Sequence, residues 1–194
     1  MKKSICMLLA SVLLVFALTA CQGSEKSSTF ETLNVTLDGE KTLSMEMNQE
    51  EVRAVMGEEP SKTGENEIGK KISDEWESFS LSVDYLAESP HEIAELEVSL
   101  PANTQFETSF GIAKGDSAAS VKEKLGELCM TKEIDSGVSY TYGLLYADGK
   151  YQIVDYNKSF GELIGDNEDA KVYLVNFSCV DDKVAEFYIV DALV

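Results

Sequence analysis

Basic residues are scarce in this chain. Its 194 residues hold 16 Lys plus Arg against 35 Asp plus Glu, a formal net charge of -19. A surface of that sign repels nucleic-acid phosphates and offers no basic patch to an anionic lipid headgroup. Arg53 is the only arginine and His91 the only histidine. Catalysis that needs two imidazoles is therefore excluded. No Cys-x-x-Cys pair and no Cys/His ligand spacing occurs among the four cysteines, which argues against a structural zinc site. No metal or other cofactor is expected. Long apolar runs are also missing, with one exception at the N-terminus. Hydrophobic residues still make up 44% of the chain, enough for a packed core in one domain or two small ones.

The exception is informative. Lys2 and Lys3 precede an apolar run from Ile5 to Ala17, broken only by Ser11, and Leu18-Thr19-Ala20-Cys21 follows. The run is short for a bilayer span and has the layout of a secretory signal peptide. Its ending resembles the lipobox of bacterial lipoproteins, an aliphatic residue and two small ones before a cysteine. The resemblance implies that the Cys21 thiol receives a diacylglycerol and that a peptidase cuts between Ala20 and Cys21. Residues 1–20 then form the signal peptide. Cleavage removes Lys2 and Lys3 and no acidic residue, so the mature charge becomes -21. The expected location is the outer face of a cell membrane, held by lipid on Cys21. Gln22, rather than Asp, after the cysteine would allow outer-membrane sorting in a bacterium with two membranes. Cys129 and Cys179 remain in a compartment that permits disulfides, either as a pair or as two small buried hydrophobes.

Residues 21–29 continue as a polar segment rich in Ser, which reads as the lipidated cysteine and a flexible spacer. Beyond it, two stretches align at an offset of 69: Val52 to Glu58 with Val121 to Glu127. Phe30-Glu31-Thr32 precedes the first as Phe106-Glu107-Thr108 precedes the second. Ile93 to Val98 and Val184 to Ile189 follow them in the same order. Three ordered matches suggest a duplication, with residues 30–101 as the first repeat and 102–194 as the second. Asn48 with Glu51 three residues on reads as a capping box, and Gly57 and Pro60 stop that helix. Asp116 or Ser117 caps the second helix and Gly126 ends it. Asp38-Gly39 and Asp148-Gly149 read as hairpin turns, and Asp181-Asp182 joins the last two strands. A single strand is expected over Trp76 to Tyr85. The expected fold class is α+β: two tandem repeats, each a short helix packed on an antiparallel β-meander, with a seam at Pro101-Ala102-Asn103.

This order of elements resembles the small lipoproteins of the SmpA/OmlA type and the tandem-repeat fold of the β-lactamase inhibitor protein. The resemblance implies non-catalytic protein binding, as an envelope scaffold or as an inhibitor of a secreted enzyme. It supplies no contact residues.

The remaining motifs read blandly. His91 lies at a turn without a nucleophile motif nearby. Residues Gly111 to Ser117 lack the Gly-Lys-Ser/Thr ending of a phosphate loop and read as a turn into a helix. Asp166 to Asp169 lacks the calcium-loop pattern. Tyr140, Tyr142, Tyr146, Tyr151 and Tyr156 cluster in one hairpin. Some of these must be core, but alternate ones share one sheet face, and tyrosine buries area at low entropic cost, so Tyr140, Tyr142, Tyr146 and Tyr151 are the candidate surface for a protein or cell-envelope partner. The competing reading is an extracytoplasmic hydrolase using paired carboxylates.

Overall fold

Three tight reversals with left-handed backbone organise the strands. Asp38 and Gly39 (φ 49° and 73°) join β2 (Asn34–Leu37) to β3 (Lys41–Ser44). Asp148 and Gly149 (φ 53° and 74°) join β10 (Gly137–Ala147) to β11 (Lys150–Val154). Asp181 and Asp182 (φ 50° and 63°) join β12 (Lys171–Val180) to β13 (Lys183–Asp191). Paired positive φ values match the twist of the flanking strands, and Asp tolerates them at modest cost. All three turns lie where the sequence predicts them. The computed structural model describes residues 29–65, 71–88, 91–99, 103–155, 157–167 and 169–193. The predicted lipobox Leu18 to Cys21, most of the spacer, Pro101 and Ala102 of the seam, and Tyr156 lie outside these residues.

Helix boundaries also follow local chemistry. Helix α1 (Gln49–Met56) opens on a complete capping box, Asn48 with Glu51, and closes on Gly57 at φ 70°. Helix α2 (Ala118–Leu125) is capped by the Ser117 hydroxyl and ends at Gly126. Helix α3 (Phe160–Ile164), unanticipated, has a second capping box made by Ser159 and Glu162.

The other strands are β1 (Thr29–Phe30), β4 (Lys62–Glu65), β5 (Lys71–Trp76), β6 (Leu81–Leu86), β7 (Ile93–Val98), β8 (Phe106–Thr108) and β9 (Met130–Ile134). The large sheet has ten strands, ordered β1-β11-β10-β12-β13-β7-β6-β5-β4, with β9 also paired to β10. A small sheet has the order β3-β2-β8. Every described pairing is antiparallel.

This architecture corrects the α+β expectation. The protein is largely β, and its helices do not each carry a meander of their own. Helix α1 buries only Val52 and Met56, and α2 only Ala118, Val121 and Leu125. Helices of eight residues offer too little apolar area to cover four strands each. Strands from both halves pair instead: β13 with β7, β2 with β8, and β1 with β11. The two Phe-Glu-Thr triplets, aligned in the sequence, end up in different sheets. The expected strand over Trp76 to Tyr85 is also broken. Trp76 pairs with Leu81, and the chain reverses between them through a 3-10 turn, Glu77–Phe79.

One face of the large sheet is the core. Trp76, Val83, Tyr85, Leu96, Tyr142, Val175, Phe177 and Phe187 lie on it and are almost fully buried. Val52 and Met56 of α1, Val121 and Leu125 of α2, and Val35, Leu37, Leu43 and Phe106 of the small sheet close the same cluster. No helix among the described residues is long and apolar enough to cross a membrane.

Candidate functional site

The tyrosines singled out in the sequence belong to the core face. Tyr142 and Tyr151 are fully buried, Tyr140 is buried, and Tyr146 is half-buried against the core. Tyr142 donates to the Gly126 carbonyl (3.0 Å) and Tyr151 to Glu46 Oε1 (3.1 Å). Tyr151 also packs on Tyr146 and Tyr173, with ring centroids 4.8 and 5.7 Å apart. Even-numbered positions of β10 share one face, and that face points inward. The hairpin therefore supplies core packing and not an open aromatic surface.

The reverse face lies away from the main core, and register places its residues in rows. One row crosses eight strands: Met130, Thr141, Asn176, Tyr188, Glu97, Ser82, Glu75 and Lys62. In the next row Val190 faces Glu95, which faces Asp84, which faces Ser73. Glu186 follows Tyr188 at the next outward position of β13, opposite Ser178. Asp84, Glu95, Glu97 and Glu186 thus meet on three neighbouring strands, all half-buried. Like charges directly opposite on a sheet destabilise it.

The local electrostatics bear this out. Burial, reinforced by Glu95, Glu186 and Asp84, holds the Glu97 carboxyl above its usual range. Burial also raises Glu95, with Lys71 opposing and Asp84 adding to the shift. Lys71 Nζ lies 3.8 Å from Glu95 Oε2, and the Ser73 hydroxyl donates to Asp84 (2.6 Å). Glu97 forms no ion pair among the described residues. A carboxyl whose folded pKa is raised contributes stability below its unfolded pKa and loses it as pH rises through the folded value. Glu97→Gln is therefore expected to stabilise the domain at pH 7 by about 0.5 kcal/mol, with no gain near pH 4. Urea unfolding at the two pH values checks this.

On β10 and β12 the same face turns neutral. Asn176 Nδ2 donates to the hydroxyls of Ser139 (2.5 Å) and Thr141 (2.8 Å), and Asn176 Oδ1 accepts from Ser178 (3.3 Å). This buried amide is fully used and rigidifies the sheet there.

A second polar cluster sits on the core face. Arg53 of α1 grips Asp74 of β5 through two bonds of 2.8 Å, and Asp74 also accepts from Thr63 (2.8 Å) and Gln49 (3.1 Å). Burial alone would raise the Asp74 pKa, but the donors from Arg53, Thr63 and Gln49 outweigh it and hold the carboxyl below its usual value. Its place between helix and sheet makes it a structural clamp.

The other motifs resolve as turns or packing. His91 has φ 61°, and its Nδ1 lies 2.9 Å from the Leu86 carbonyl. The amides of Lys114, Gly115 and Asp116 are bound to carbonyls of the protein itself, so Gly111 to Ser117 forms no anion cradle. Cys129 and Cys179 are free thiols, the first half-buried and the second fully buried, with burial pushing Cys179 up to about 11. Among the described residues no group of three or more His, Cys, Asp or Glu side chains could hold a metal ion.

The carboxylate rows escaped sequence reading. Glu95 and Glu97 are visible as the polar half of an alternating strand. Their meeting with Asp84 and Glu186 needs the register of β6, β7 and β13. No protein-family model, curated protein or solved structure matches this chain.

Proposed function

We propose that this protein is a lipid-anchored extracytoplasmic binding module that docks a cationic protein surface on the reverse face of its large sheet. It acts without catalysis. The single observation that carries the reading is the cluster of Asp84, Glu95, Glu97 and Glu186, half-buried on adjacent strands, whose acidic neighbours add to burial in holding the Glu97 carboxyl above its usual range. Charges held under mutual repulsion gain most when a partner supplies lysine or arginine, and their field speeds encounter. Anchoring through Cys21 would keep this surface at the membrane, in reach of envelope or secreted proteins.

One observation favours the hydrolase reading, the facing of Asp84 and Glu95 with a raised Glu95 pKa. Acid–base work on a substrate gains from a site that excludes water. Neither described cleft is lined by Asp84 or Glu95, the larger, of about 470 Å³, being lined by Glu75, Trp76, Glu77, Ser80 and Ser82 among others.

Site-specific photocrosslinking in intact cells tests the choice. A crosslinker at Ser82 should capture a defined protein, and a Glu95→Lys/Glu97→Lys variant should lose the adduct. A crosslinker at exposed Thr42, on the small sheet, should capture none. Adducts from both positions alike, or substrate turnover abolished by Glu95→Gln, would reject the docking face.

A further inference from the structure

We infer that the outer edge of β9 takes an extended segment of a partner protein as an added strand, with a lysine or arginine of that segment seated in the cleft beside it. Backbone geometry supplies the template. A two-residue turn, Asp135 and Ser136, joins β9 to β10, with Ile134 opposite Gly137. A pair closed that tightly exchanges both of its hydrogen bonds, and bonded and non-bonded pairs then alternate along the hairpin. Ile134, Lys132 and Met130 therefore bond to β10. Thr131 and Glu133 turn their N–H and C=O groups away from it. Among the described residues no strand lies along that side of β9, and Met130 to Glu133 are all exposed. An edge of this kind is a template for a further strand.

Side chains select the occupant. Leu128 (47%) and Met130 (41%) are two of the three large hydrophobics exposed among the described residues. Both line a cleft of about 230 Å³ at the start of β9, together with Glu127, Cys129, Asp155 and Asn157. That volume is below the usual size of a small-molecule pocket and suits one long side chain. Leu128 and Met130 make its apolar part, and Glu127 and Asp155 its charge. Glu127 already holds Lys122 at 2.9 Å. Asp155 forms no ion pair among the described residues. Bonds from the backbone and side-chain N–H groups of Asn157 hold its carboxyl below the usual range, so it stays charged. Lysine and arginine have the matching make-up, an apolar stem and a cationic head.

This edge is a second surface, separate from the acidic face proposed above. Strands β10 and β12 lie between β9 and β13, the nearest strand of the Asp84, Glu95, Glu97 and Glu186 cluster. Along β9 the main-chain bonds give affinity for any extended segment, and the Asp155 cleft favours one with a cationic residue at that position.

Residue-resolved hydrogen exchange on the full-length protein tests the edge. The probe is a capped peptide of alternating valine and arginine. With it bound, the Thr131 and Glu133 amides should exchange about tenfold more slowly, while those of Lys132 and Ile134, already bonded to β10, keep their rates. Asp155→Asn should weaken peptide binding about threefold, the scale of one exposed ion pair. Glu95→Lys/Glu97→Lys should leave the protection within about twofold, because charges that far apart are screened. A fully N-methylated peptide of the same sequence keeps the charge and cannot pair, so it should protect neither amide. Absence of protection overturns the inference, and so does equal protection by the methylated peptide. Slow exchange of Thr131 and Glu133 before peptide is added overturns it too, because the edge is then already covered. If that slow exchange depends on protein concentration, the cover is a second copy. Loss of protection in Glu95→Lys/Glu97→Lys would place the peptide on the acidic face and reject the edge alone.

Discussion

Arg53→Met is expected to destabilise the domain by about 3–5 kcal/mol at pH 7, a large share of the stability of an ordinary domain. The asymmetry of the pair sets the size. Asp74 is fully buried, whereas the Arg53 side chain keeps 37% of its exposure. Removing the arginine strands a charge inside the protein, with only the neutral donors of Thr63 and Gln49 left. Removing the aspartate leaves a cation that water can still reach, so that change costs less. The pH dependence has a definite sign. In the unaltered protein the Asp74 pKa is depressed, so its contribution is present above the unfolded value of about 3.9 and lost as pH falls through the folded one. In the variant, burial raises that pKa above the unfolded value. Its penalty then grows as pH rises and fades below about pH 4. Urea unfolding at pH 7 and pH 3.5 should show a deficit that shrinks at the lower pH. A deficit equal at both would mean that Arg53 acts by packing alone. Arg53→Met/Asp74→Leu should recover most of the loss, because a buried pair replaced by hydrophobes of similar size is nearly neutral.

If Cys21 carries the proposed anchor, Cys21→Ala is expected to abolish acylation completely. The thioether to diacylglycerol needs a sulfur, and a methyl side chain offers no nucleophile. Each buried methylene of an acyl chain contributes about 0.8 kcal/mol to membrane residence, so two chains hold a domain firmly and none leaves it unanchored. Processing should fail with it, because the peptidase acts on the lipidated residue. Intact-mass measurement separates the outcomes. The unaltered protein should lack residues 1–20 and carry lipid, whereas the variant should keep its leader and carry none. Lipid on the variant, or a mature start other than Cys21, would reject the anchor.

Local chemistry was readable from the chain because it depends on neighbours in sequence. Asn48 and Glu51 sit three apart, and one helical turn brings them together. Gly57 ends α1 because the left-handed region suits it. The Asp-Gly turns follow the same logic. Strands β4 and β9 leave no mark in the sequence, because Lys62–Glu65 and Met130–Ile134 lie on sheet edges and are mostly exposed, so no apolar alternation shows. Composition marks the tyrosines of β10 as a candidate surface but is silent on the side of the sheet they face, which burial shows to be the core side.

Short-range chemistry was legible in the chain alone: the caps, the turns, the acidic excess and the supply of alternating strands. Tertiary structure decided the rest. It merged the two halves into one ten-stranded sheet, turned Tyr142 and Tyr151 inward, and brought Asp84, Glu95, Glu97 and Glu186 together. The physical reason is register. Side chains alternate with a period of two, so the pairing of strands far apart in sequence decides which residues face the core and which face each other.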